Sequence, residues 1–172
     1  DQQGQDRFKA LGLKVFSSKG EAVKEAEIVV LAVKPHLVQA VAEEIRPYLD
    51  HDAMVVSVAA GVTLDQLQEY FDEDRTAFRV MPNIAATHAS SMTFVSCADR
   101  CAVYAPVILE MMGTVGEAVL IPESMMDTAM VNASCGLAYA LRSIRAAREA
   151  SIEMGRGAAL SPPVGPPARK GA

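Results

Sequence analysis

Four short segments hold the residues with chemistry to offer. Lys34, with Ala32 and Val33 before it and Pro35 after it, brings an ammonium group to the end of an apolar run. Ala59, Ala60 and Gly61 bring almost no side chain, so a ligand can come close to their backbone. Asn83, after Met81 and Pro82, has an amide that both donates and accepts. Ser134, Cys135 and Gly136 form a run of small residues. These are groups for holding and orienting a ligand, and no catalytic dyad stands out. The histidines His36, His51 and His88 lie in separate segments and are assigned no catalytic role. Each segment also has a plainer reading. Lysine at a helix start is commonly solvated, a small-residue run makes a tight turn, and Asn after Pro is more often a turn residue.

The elements around these residues place three of the segments alike. Glu27–Val33 is apolar on both faces, as a central parallel strand should be. A helix is predicted from Pro35 to Tyr48, with Leu37, Val38, Val41, Ala42 and Ile45 along one face. Ala53–Val58 reads as the next strand. Thr63 and Gln66 then have capping-box spacing, predicting a helix to Tyr70. Ala77–Val80 is a further strand. Before these, Lys14–Phe16 reads as a short strand, and Ser18–Lys24 as a helix capped by Ser17 or Ser18 with Glu21 at capping-box spacing. The alternation predicts an α/β doubly wound fold, whose ligands sit beyond the carboxyl ends of the strands. Ala32–Pro35, Ser57–Gly61 and Met81–Asn83 all fall at such ends. The second half predicts a strand at Ser91–Ser96, a helix over Val103–Met112, a strand at Thr114–Leu120, a helical region from Pro122, and a helix over Gly136–Met154.

A dinucleotide fold usually opens on a strand and a G-x-G-x-x-G loop. No set of glycines in this sequence makes that motif. Either the chain binds no dinucleotide, or it starts after the first strand–helix unit.

Five segments, in order and at matching intervals, favour the second alternative. Val30-Leu31-Ala32-Val33-Lys34-Pro35-His36 resembles the A-V-K-P turn of pyrroline-5-carboxylate reductases. Val58-Ala59-Ala60-Gly61-Val62-Thr63 resembles their A-A-G-V-T turn. Phe78-Arg79-Val80-Met81-Pro82-Asn83 resembles their R-V-M-P-N strand end. Ser91-Met92-Thr93 falls where that family begins its next strand. Ser134-Cys135-Gly136-Leu137-Ala138-Tyr139 resembles its G-S-G-P-A-Y segment. The resemblance covers residues 8–155. The sequence departs from the pattern where Ala133 replaces Ser, Ser134 Gly, Cys135 Ser and Leu137 Pro.

The resemblance implies a Rossmann-like parallel sheet lacking its first β-α unit over residues 1–121, and the start of an all-helical dimerisation domain over 122–154. It implies NADPH or NADH as cofactor, held by Ala32, Val33, Lys34, Pro35, Ala59, Ala60, Gly61, Met81, Pro82 and Asn83. The substrate implied is 1-pyrroline-5-carboxylate, near Ser134, Cys135 and Gly136, reduced at its C=N bond to L-proline. A protonated imine is a good electrophile, so a dedicated general acid is not required. On this reading the chain lacks the glycine loop at one end and the family's later P-G-G-T segment at the other, and as such is not expected to turn over. Two alternatives stand beside it: a non-catalytic dimerising remnant of the family, or another two-domain NAD(P)-dependent reductase.

Composition bounds the rest. Of 172 residues, 51% are hydrophobic, enough for a packed core. A net charge of -5 with no basic stripe speaks against nucleic acid. The apolar runs are too short to span a bilayer, and the polar start is no signal peptide. Three cysteines, Cys97, Cys101 and Cys135, have no framework spacing, which points to a reducing compartment. No metal site is expected, and Cys135 reads as a small buried residue. A cytoplasmic homodimer or higher homo-oligomer is expected. Residues 155–172 hold four glycines and four prolines, with Arg156, Arg169 and Lys170 the only charges, and read as a disordered tail.

Overall fold

The computed structural model describes residues 2–154, so the expected disordered tail lies outside the described residues. Five strands form one sheet in sequence order: β1 (Ile28–Leu31), β2 (Met54–Ser57), β3 (Ala77–Met81), β4 (Ser91–Cys97) and β5 (Gly116–Leu120). The pairings β1–β2, β2–β3 and β4–β5 are parallel. β3 and β4 pair antiparallel, which the parallel expectation did not include. The cause is the length of the connection. A parallel return needs a crossover of about a dozen residues. Only a short stretch with a 3-10 turn, Ile84–His88, joins β3 to β4, and it closes on Ala89 in the left-handed region, at φ 50°. The chain therefore doubles back.

Helices cover both faces. Successive residues of a strand point to opposite sides, so Val55 and Val56, both fully buried, serve two different cores. On one face α2 (Lys19–Val23), α3 (Val38–Ile45) and α4 (Leu64–Phe71) pack through Val23, Val38, Ala42, Ile45, Leu67 and Phe71. On the other, α5 (Ala105–Gly113) packs Ala105 and Ile108 against Val56, Phe78, Val80 and Val95. Burial on both sides is why these strands read as continuous apolar runs. Among the described residues β1 and β5 are the edges. Val30, on β1, is 47% exposed.

Most predicted elements form. Pro35–Leu37 is a 3-10 turn running into α3, and Arg46–Tyr48 a second one, together spanning the expected helix. α2 has Ser18 at its N-cap, but no side-chain cap hydrogen bond forms. Lys14–Phe16 is not a strand: no described strand lies beside it, and its Lys14 ammonium sits over the Phe16 ring instead, 4.7 Å from the centroid. Upstream, α1 (Gln2–Ala10) forms where no helix was predicted.

The chain divides into two compact units, the first ending at Asp127 and the second beginning at Thr128. The helical stretch starts within the first unit, at a 3-10 turn Glu123–Met125 and α6 (Met126–Met130). The second unit contains a π-turn, Val131–Cys135, and α7 (Gly136–Glu153), an eighteen-residue helix with no buried residue.

Candidate functional site

Register brings three of the segments to one edge of the sheet. Leu31 pairs with Ser57, and Ser57 with Arg79. These three strands run the same way, so the residues that follow the aligned row leave along one edge. Ala32–Pro35, Ala59–Gly61 and Met81–Asn83 therefore share the carboxyl end of the sheet, where ligands of such folds bind.

Local chemistry shapes each segment. Lys34 is extended and exposed, and its carbonyl accepts from the Leu37 N–H at 2.9 Å. Pro35 then opens the helical turn, where its missing N–H costs nothing. In the second segment the buried Ser57 hydroxyl accepts from the Ala59 N–H at 3.3 Å. Ala59 is buried, Ala60 and Gly61 are exposed, and Gly61 has φ +79°, a conformation that suits glycine. A Cβ added at Gly61 would meet nothing within 4 Å, so this backbone is open to close approach.

Asn83 carries the plainer role first: its side-chain oxygen accepts from the Ala85 N–H at 3.0 Å and caps the 3-10 turn. The Asn83 backbone N–H donates to the Ser91 hydroxyl at 3.1 Å, and Ser91 is in turn 3.0 Å from the Thr93 hydroxyl. Ser91 and Thr93 are buried on β4, which the antiparallel return brings beside the end of β3. Their support of Asn83 was not visible in the sequence, since it depends on that return.

A second missed feature lies one row back. Arg79 is buried on β3 and donates to Glu123 at 3.2 Å and Asp127 at 2.8 Å. Glu123 also accepts from the Leu64 N–H, the first of α4, at 2.7 Å. Thr63 and Gln66 form the predicted capping box beside it. Of the first three N–H groups of α4, those of Leu64 and Gln66 are thus taken by Glu123 and Thr63.

Ser134, Cys135 and Gly136 belong to the second unit. Ser134 and Cys135 lie in the π-turn, and the Gly136 N–H closes it on the Val131 carbonyl. Such turns are concentrated at functional positions, and the sequence showed no sign of one here. Cys135 is exposed, which corrects its expected burial: α7 and the π-turn bury no residue. Cys101 is buried, and Cys97 is half-buried beside it in the second core. Burial pushes the Cys97 thiol above its ordinary range, and the neighbouring Cys101 and Asp99 add to the shift. Among the described residues no group of three or more His, Cys, Asp or Glu is set to hold a metal ion. No helix among them is long and apolar enough to cross a membrane.

A mostly parallel sheet, helix-covered on both faces and with its open turns at the strand carboxyl ends, is of the Rossmann-like class. Residues 2–61 match the family model described as "NADP oxidoreductase coenzyme F420-dependent". Over 151 residues the chain is 34% identical to the pyrroline-5-carboxylate reductase of Arabidopsis thaliana, covering 87% of this chain and 54% of that one. It is 34% identical to pyrroline-5-carboxylate reductase 2 of Bacillus subtilis, covering 80% and 49%. The crystal structure of Plasmodium falciparum pyrroline carboxylate reductase with NADP bound superposes with a TM-score of 0.81 at 25% identity, over 87% of this chain and 57% of that one. Along most of its length the chain is similar to pyrroline-5-carboxylate reductases, and it spans about half the length of the curated relatives it matches.

The strand ends fit a nicotinamide dinucleotide in part. Exposed Ala60 and Gly61 leave backbone to approach, and Lys34 offers a cation. At the start of α4 two of the first three N–H groups are already engaged by side chains, which reduces what that helix end offers a pyrophosphate.

Proposed function

We propose that this polypeptide contributes the cofactor edge of an NAD(P)H-dependent pyrroline-5-carboxylate reductase, which reduces the C=N bond of 1-pyrroline-5-carboxylate to L-proline. The observation that carries the reading is the row Leu31–Ser57–Arg79, which aligns three motif-bearing turns at one edge. Ala32, Val33, Lys34 and Pro35 line one part of that edge, with the Lys34 ammonium toward phosphate or ribose. Ala59, Ala60 and Gly61 offer their backbone. Met81, Pro82 and Asn83 take the nicotinamide end, the Asn83 amide orienting the ring or its ribose. The bound dihydronicotinamide supplies hydride. The protein's part is to hold donor and imine in contact, which can supply most of the rate. Ser134, Cys135 and Gly136 are proposed to meet the substrate, in a domain that begins at residue 122, after a Rossmann-like domain over 1–121. The cytoplasm is the proposed compartment.

Calorimetry with NADPH tests this on the 172-residue chain. Micromolar binding, followed by turnover of 1-pyrroline-5-carboxylate, is the expected result for an active polypeptide. A folded chain that ignores millimolar NADPH would refute cofactor binding by this polypeptide. A second reading, a non-catalytic chain that pairs with another copy, is favoured by one observation. Over eighteen residues α7 buries nothing, and Tyr139, Ile144 and Ile152 are exposed on it. Sedimentation of a dimer without NADPH binding would select this reading.

A further inference from the structure

We propose that Arg79 and Glu123 form a joint that locks the Ala59–Gly61 turn to the Met81–Asn83 strand end, so that the two turns hold or loosen together. The proposal rests on the reading of that edge as the cofactor edge, and names the positioning residues behind it.

Arg79 lies two positions before Met81, inside the strand that ends at Asn83. Its side chain is 7% exposed. It stands on the face that packs α2, α3 and α4, in a row with Ser57 on one side and Ser96 on the other. Both serines are buried, and among the described residues the Ser96 hydroxyl has no partner. This strip of an otherwise apolar face is therefore polar, and a guanidinium there must be paired to be tolerated.

Its two carboxylate partners differ. Asp127 is 79% exposed, and solvent weakens that pair. Glu123 is 30% exposed and is engaged twice through the same oxygen: Oε1 accepts from Arg79 and from the Leu64 N–H. Leu64 starts α4, three residues after Gly61. One carboxylate oxygen thus ties the helix that anchors the 59–61 turn to the strand that carries the 81–83 end. Two like-charged partners on Arg79 allow it to keep one pair when the other is lost. The Leu64 N–H is held by Glu123, while the hydrogen bond Asp127 accepts comes from Arg79, so losing Glu123 breaks the link to Leu64 even where Arg79 stays paired. Glu123 is therefore the specific member of the joint, and Arg79 the residue that fixes where it stands.

Amide hydrogen exchange on the full chain tests the joint, comparing wild type, Glu123→Ala and Glu123→Gln. In Glu123→Ala, exchange should rise roughly tenfold in peptides covering 58–66 and also in those covering 80–84, the size expected for losing one net hydrogen bond. β1 and the first part of β2 should stay protected. Glu123→Gln keeps an acceptor for Leu64 and should restore most of the protection. A rise confined to 58–66 would make Glu123 a helix cap and no more, overturning the proposal. So would a uniform rise across the sheet, which marks general destabilisation. Titrating wild type with NADPH separates the two claims. Coupled exchange in a chain that does not bind NADPH keeps the joint and removes the cofactor reading.

Discussion

Gly116 offers the sharpest test of how the fold supports the Asn83 end. It opens β5 at φ +148°, and a Cβ built there would lie 2.1 Å from the Ser91 carbonyl oxygen and 2.4 Å from its nitrogen. Both are backbone atoms, so no side chain can swing away. The Gly116→Ala variant must either push β5 from β4 or change φ at the start of the strand. A backbone conformation so unfavourable for L-residues costs on the order of 1–3 kcal/mol. Separation would also strain the hydrogen bond from the Ser91 N–H to the Val115 carbonyl, 3.0 Å long, worth about 1 kcal/mol net. Together these give a loss of roughly 2–4 kcal/mol, or a fall in Tm on the order of 10 °C for a unit of this size. Urea unfolding followed by circular dichroism measures it. Gly113→Ala is the control, since its Cβ would meet nothing within 4 Å, and it should change stability by less than about 0.5 kcal/mol. Because Ser91 also receives the Asn83 N–H, amide exchange at Asn83 should rise in Gly116→Ala. A variant as stable as Gly113→Ala would refute the close-packed β4–β5 junction and the support it lends.

Other outcomes follow from the same geometry. Thr63→Ala removes one half of the capping box and should cost about 1 kcal/mol by urea unfolding; an unchanged midpoint would show that Glu123 alone caps α4. Maleimide labelling read by peptide mass spectrometry should modify exposed Cys135 first and leave buried Cys101 untouched in the native state. Cys97 should react slowly at neutral pH and faster as pH rises beyond the ordinary thiol range, because its raised pKa keeps the thiol protonated and the thiolate is the reactive form. Rapid labelling of Cys97 at pH 7 would contradict its placement beside Cys101 in the second core.

How far the sequence carried depends on the range over which each feature is written. The Thr63–Gln66 box and the 3.6-residue stripe of α3 are local, and both formed where the spacing put them. The twin-faced apolar runs announced buried parallel strands because each strand alone shows that pattern. Lys14–Phe16 failed because a strand exists only through a neighbour, and apolar character does not supply one. α1 went unseen because it is mostly polar, with Phe8 half exposed, so no stripe marks it. Turn positions such as Lys34, Gly61 and Asn83 were identified through motifs, and the register then aligned their strands. The Arg79–Glu123 pair spans 44 positions, and Ser91 reaches Asn83 only through the antiparallel return. Neither has a periodic trace.

The π-turn at Val131–Cys135 lets the helical stretch take up one extra residue without turning the helix after it. Each α-helical residue advances about 100° around the axis, and a π-turn holds one residue more than an α-turn. Removing one residue from this turn would let the stretch run on in regular α form with every later side chain left close to the side it already occupies, because four α residues sweep about the same angle as five in the wider turn. Tyr139, Ile144 and Ile152 would keep their places around the axis. The same deletion inside α7 would instead turn every side chain beyond it by about 100°, so the π-turn is where this helical stretch tolerates a change of length.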